Sequence, residues 1–130
     1  MNQHETAMAF IDAINKHSVG LISDLITVDH VLVDSLGATL QGKEAIRNAW
    51  IGYFYLVPDF VIHCDMVFEE GATVAMFGSA EGTCRVGVRI DPSNHWSMPS
   101  AWLATIREGR VARWQVFADN EPVRKILGGS

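Results

Sequence analysis

Cationic charge is scarce in this 130-residue chain: 10 Lys and Arg stand against 15 Asp and Glu, a formal net charge of −5. Clustered lysines and arginines supply the affinity of phosphate-tracking surfaces, and no such cluster occurs, so nucleic acid and anionic membranes are set aside as partners. Cysteine is scarcer still. Cys64 and Cys84 lie far apart in apolar surroundings and form no CxxC pair, so each reads as a buried free thiol acting as a small hydrophobe. No stretch approaches the ~18 uninterrupted apolar residues of a membrane span, and no basic leader precedes an apolar run at Met1-Asn2-Gln3-His4-Glu5-Thr6. The expectation is a cytoplasmic protein. Also missing are GxGxxG, GxxxxGKS/T, GxSxG and HExxH. Nucleotide cofactors, a serine nucleophile and metal catalysis are therefore without support, and neither cofactor nor metal is expected.

What the chain does have is apolar material, 48% of its residues, with 4 Trp, 2 Tyr and 6 Phe. A chain of this size buries roughly two thirds of its unfolded surface, enough for one domain spanning residues 1–130. Ala7, Phe10, Ile11 and Ile14 keep the spacing of one helical face. Ser18 caps a second short helix carrying Ile22, Leu25 and Ile26. The period then drops to two over His30-Val31-Leu32-Val33-Asp34, a short β-branched strand ending at a turn around Gly37. Helical spacing returns from Lys43 to Val57, and Pro58 ends it by pushing the residue before it out of the α region.

Everything beyond Pro58 reads as four long strands. In the first, Phe60, Ile62, Cys64, Met66 and Phe68 share one face. Ala72 to Val88 forms the second, in which Gly78, Gly82 and Gly87 mark bends. Asp91-Pro92-Ser93-Asn94 is a turn-rich loop, His95 to Arg107 the third strand, Glu108-Gly109 a tight turn, and Arg110 to Asp119 the last strand. Asp119 then caps a short C-terminal helix holding Val123, Ile126 and Leu127, and Gly128-Gly129-Ser130 reads as a frayed end. Helices gathered ahead of a largely antiparallel sheet make an α+β fold.

Three segments carry a family likeness. Val31-Leu32-Val33-Asp34 followed by Gly42-Lys43-Glu44-Ala45-Ile46-Arg47 is similar to the strand–loop–helix opening of the nuclear-transport-factor-2-like superfamily. Glu108-Gly109-Arg110-Val111 resembles its "dGkI" hairpin, and Trp114-Gln115-Val116-Phe117-Ala118-Asp119 resembles the final strand of its SnoaL-like members. The superfamily includes ketosteroid isomerases and polyketide cyclases. The resemblance implies a cone-shaped barrel, in which three N-terminal helices pack on a strongly curved sheet around an apolar pocket. It also implies a homodimer formed through the outer sheet face, with Val61, Val67, Phe77, Ala101 and Leu103 as apolar members and His63 at the interface.

By the same resemblance Asp34 aligns with the isomerases' catalytic aspartate. A carboxylate buried in an apolar pocket is a stronger base and can move a proton beside a carbonyl. The alternative at Asp34 is a cap on the following turn. The other isomerase positions hold different residues. Phe10 stands at the helix-1 tyrosine, Trp50 at the supporting tyrosine, and Ala101 or Trp102 at the second aspartate. Trp50 and Trp102 offer indole N–H donors in their place. Strand parity adds the rest of a flat, aromatic lining. The substrate-binding residues expected are Phe10, Trp50, Tyr53, Phe60, Ile62, Met98, Ser100, Trp102, Trp114 and Val116, suited to a small apolar or aromatic ligand. The function expected is a cofactor-independent isomerase, cyclase or lyase that uses Asp34 on a ketone-type or polyketide-like cyclic substrate. The alternative is a ligand-binding or dimerisation module of the same fold that performs no catalysis.

Overall fold

A computed structural model describes residues 1–128; Gly129 and Ser130, part of the expected frayed end, lie outside the described residues. Helix α1 (Gln3–Asn15) starts at Asn2, whose side chain accepts from the Glu5 amide at 2.8 Å while the Glu5 carboxylate accepts from the Asn2 amide at 3.0 Å. Its inner face buries Ala7, Phe10, Ile11 and Ile14 as their spacing predicts. Helix α2 (Val19–Leu25) starts at Ser18, whose hydroxyl accepts from the Leu21 amide at 3.2 Å. Helix α3 (Lys43–Leu56) follows Gly42, held at φ +100°, and stops just short of Pro58.

The strands are β1 (Ile26–Val33), β2 (Thr39–Gln41), β3 (Val61–Glu70), β4 (Thr73–Val86), β5 (Arg89–Arg107) and β6 (Arg110–Ala118). They form one sheet in the order β2-β1-β6-β5-β4-β3, in which the β1–β6 pair alone is parallel. The α+β class and the largely antiparallel sheet are as expected. The barrel is not closed: β2 and β3 are free edges of an open sheet, because the three-residue β2 ends the order on one side and pairs with β1 only. Helix α4 (Glu121–Ile126) follows β6. Its N-cap is Asn120 rather than Asp119, whose carboxylate instead accepts from the Glu121 amide at 3.0 Å.

Two irregularities redirect side chains. Cys64 pairs with Gly78 and Met66 with Phe77, so Asp65 is an extra residue that flips the strand beyond it. Met66 and Phe68, expected inward with Ile62, therefore face outward and are exposed, and Cys64 beside the bulge is half-buried rather than buried. In β5, Thr83 pairs with His95 and Arg85 with Ile90, so residues 91–94 stand opposite Cys84 alone. The expected loop at Asp91-Pro92-Ser93-Asn94 is thus a wide bulge inside one long strand. Its Asp91 carboxylate accepts from the Ser93 amide at 2.9 Å.

Candidate functional site

The inward rows of β4, β5 and β6 face α1 and α3. Alternation places Trp96, Met98, Ser100, Trp102 and Ala104 of β5 on the buried side, together with Trp114 and Val116 of β6. These walls, α3 and the segment after β1 enclose a cavity of about 380 Å³, a size typical of small-molecule sites. Nine of the ten residues expected to bind substrate line it: Trp50, Tyr53, Phe60, Ile62, Met98, Ser100, Trp102, Trp114 and Val116. Phe10 does not line it. Its fully buried ring packs 4.7 Å from that of Trp114 and 6.1 Å from that of His30, so it supports the wall from behind.

Trp96 also lines the cavity, which brings all four tryptophans to one site. Sequence reasoning left it out although it shares the parity of Met98, Ser100 and Trp102. Rings set the shape of the wall: Tyr53 meets Phe60 edge-on at 4.9 Å and Trp50 edge-on at 6.2 Å, and Phe60 lies 6.0 Å from Trp96. Polar groups are few. The Ser100 hydroxyl donates to the Met98 carbonyl at 3.3 Å. The buried indole N–H groups of Trp50 and Trp96 make no regular hydrogen bond among the described residues, the Trp96 N–H having the Cys84 sulfur beside it. Burial, and secondarily the nearby Cys84, push the Tyr53 phenol well above its ordinary value.

Asp34 lies at the rim of this cavity with Ser35 and Asn120, and is the one charged residue among its described lining residues. It is exposed, which corrects the expectation of a buried carboxylate. The reason is local: β1 ends at Val33, and one Asp34 oxygen accepts from the Leu36 amide at 2.9 Å and the Ala38 amide at 3.0 Å. The carboxylate therefore caps the turn around Gly37 while remaining beside the cavity.

His30, on the same strand, is fully buried behind the wall. Its Nδ1 donates to the Val111 carbonyl at 2.6 Å, and its Nε2 has no partner among the described residues. Burial lowers its pKa below 6.5 against opposing effects of the Val111 carbonyl and Asp29. The unfolded chain then takes up a proton that the folded chain refuses. This component of stability is whole above pH ~6.5 and declines as pH falls towards the depressed folded value, by at most about 1.4 kcal/mol per pH unit. Urea midpoints between pH 8 and 5 should fall more steeply for the natural chain than for His30→Leu.

On the outer sheet face His63 is exposed, its Nε2 3.5 Å from Glu81. Beside it, Asp59 accepts from the Thr83 amide and hydroxyl at 2.6 and 2.7 Å, and the Thr83 hydroxyl lies 3.1 Å from His95 Nδ1. This chain of contacts ties the segment after α3 to β4 and β5.

No curated protein matches the chain by sequence. Its fold is shared with many solved structures. One is a candidate SnoaL-like polyketide cyclase of Shewanella denitrificans OS-217, at TM-score 0.83 and 17% identity over 98% of both chains. Another is IdmH of Streptomyces antibioticus, a candidate polyketide cyclase, at TM-score 0.80 and 19% identity over 98% of this chain and 99% of that one. A third is a Catenulispora acidiphila DSM 44928 protein with a ketosteroid isomerase-like fold, solved with trimethylamine, at TM-score 0.80 and 18% identity over 95% and 92% of the two chains. The SnoaL-like domain family matches residues 7–114. With that match spanning most of its length, and with its helices and sheet arranged as in these structures, the chain belongs to the SnoaL-like domain family.

Proposed function

We propose that this chain is a small cofactor-independent enzyme of isomerase or cyclase type that acts on a flat, ketone-bearing cyclic substrate. The observation that carries the reading is an aromatic cavity with a single carboxylate at its rim. The ring system of such a substrate fits between the tryptophans. Asp34 takes a proton from the carbon beside the carbonyl, leaving an enolate, and returns it at a second carbon. The Leu36 and Ala38 amides hold one oxygen of Asp34 in place, so its contribution rests on position rather than on desolvation. The names of similar structures, polyketide cyclases among them, agree with this class of chemistry. The test is hydrogen exchange: 2-tetralone in D2O, a flat bicyclic ketone, should lose its α-proton NMR signals faster with the protein than with buffer alone.

A second reading is favoured by the exposure of Asp34 and its work as a turn cap. In it the cavity binds a ligand without turnover. Binding of 2-tetralone with no exchange above buffer would select that reading.

The working unit in either case is a homodimer formed through the outer sheet face. Register places Met66, Phe77, Ala101 and Phe117 in one row across four strands, with Phe68, Ala75 and Leu103 in the next. Phe68 is 60% exposed and Phe117 48%, an apolar surface that a monomer would leave wet. Light scattering at micromolar concentration should give twice the chain mass, and Phe117→Glu should give one chain mass. The two free cysteines agree with a reducing, cytoplasmic setting.

A further inference from the structure

Tyr53 and Asp34 lie at opposite ends of the cavity. Asp34 follows Val33, which pairs with Gln115, so it sits level with Val116 and hence with the Val116 partner, Trp102. Tyr53 packs on Phe60, and Phe60 on Trp96, which pairs with Gly82. Trp96 and Trp102 are six residues apart on β5, a span of up to roughly 20 Å along a strand. The space between them is walled mainly by apolar and aromatic side chains such as Met98, Ile62 and Trp50. The cavity therefore runs along β5, mainly apolar between its ends, with the Ser100 hydroxyl and the Trp50 N–H as the polar groups of that stretch.

At the Tyr53 end the polar groups are donors. The half-buried Tyr53 lines the cavity and its hydroxyl makes no hydrogen bond to a described residue, while the Trp96 N–H beyond Phe60 is buried with only the Cys84 sulfur beside it. No lysine, arginine or histidine is among the described lining residues, so a carboxylate or phosphate placed there would be a buried, unpaired charge. A neutral oxygen meets no such penalty and offers the Tyr53 hydroxyl an acceptor.

We infer that the ligand is a flat, elongated, uncharged molecule with oxygen functions at both ends, and that Tyr53 donates a hydrogen bond to the oxygen remote from Asp34. The inference rests on the reading of the cavity as a small-ligand site. Tyr53 is here a binding and positioning residue that fixes how far the ligand slides and so which carbon lies beside Asp34. A phenol is protonated at neutral pH and burial raises its pKa further, so the donor persists there.

Two probes of similar shape test this: 6-acetyl-2-tetralone, which carries a second carbonyl at the far end, and 6-isopropyl-2-tetralone, which does not. Quenching of tryptophan fluorescence reports their affinities, since all four tryptophans line the cavity. The acetyl probe should bind about five- to tenfold more tightly. Tyr53→Phe, which keeps the ring and its packing, should abolish that preference and leave the isopropyl affinity unchanged. In the infrared, the acetyl carbonyl stretch of the bound probe should lie at lower frequency on the natural chain than on Tyr53→Phe. A preference that survives Tyr53→Phe, or its absence from the natural chain while both probes bind, overturns the inference and leaves the cavity reading standing. Failure of both probes to bind overturns the cavity reading and the inference with it.

Discussion

Exchange of the α-hydrogens of 2-tetralone should fall by about two to four orders of magnitude when Asp34 becomes Asn, the usual worth of a positioned general base. The substitution separates the two roles that meet at this residue. Asn keeps an oxygen that can accept from the Leu36 and Ala38 amides, so the turn persists, but it cannot take a proton at neutral pH. Probe affinity should be unchanged, because the ring system is held by the tryptophans rather than by the rim. Asp34→Ala removes the base and the turn cap together, so it should lose exchange and also some stability, about 0.5–1.5 kcal/mol for the lost hydrogen bonds. NMR exchange rates beside urea midpoints for both variants distinguish these effects. Equal rates for the natural chain and Asp34→Asn would remove Asp34 from the chemistry.

Gly78→Ala is expected to produce the largest loss of stability of any alanine placed at a described glycine, because its added Cβ makes the closest contact of them all. Gly78 stands opposite the β3 bulge, and a Cβ there would lie 1.8 Å from the His63 carbonyl oxygen and 3.1 Å from the Cys64 Cα. Both are backbone atoms of the neighbouring strand, so no side chain can swing away to make room. Strand β3 itself must move, and with it the inward Ile62 and the outward Met66. The cost should reach about 3 kcal/mol or more, the upper range for overpacking, or leave the chain unfolded. Gly52, on the exposed side of α3, has nothing within 4 Å of the same added atom. Gly52→Ala should therefore stabilise by about 0.5–1 kcal/mol, since glycine is the poorer helix former. Urea unfolding of the two alanine variants should move in opposite directions.

Which parts of this structure were legible in the sequence follows from which signals are local. The helices over Gln3–Asn15 and Lys43–Leu56 and the four long strands are marked by apolar period, Ser18 and Pro58. Parity along β5 and β6 then delivered most of the cavity wall. Strand β2 was missed because Thr39-Leu40-Gln41 is short and wholly exposed, with no buried face to impose alternation. The inward placing of Met66 and Phe68 failed at Asp65, whose status as an extra residue is decided by pairing with Gly78 and Phe77 on another strand. Phe10 was placed in the cavity by family likeness, but the packing of Trp114 over it is a tertiary fact. Asp34 is the instructive case. An aspartate at the end of a strand has the same sequence context whether it caps a turn or faces a pocket, and here it caps one at the edge of the other.

The indole N–H signals of Trp50, Trp96, Trp102 and Trp114 report directly on whether the cavity these four residues line receives a flat cyclic ketone. A proton–nitrogen correlation spectrum recorded during titration with 2-tetralone should show all four signals moving together and saturating at one ligand per chain. Four indole signals that stay in place at millimolar 2-tetralone, in a protein that remains folded, would contradict such binding.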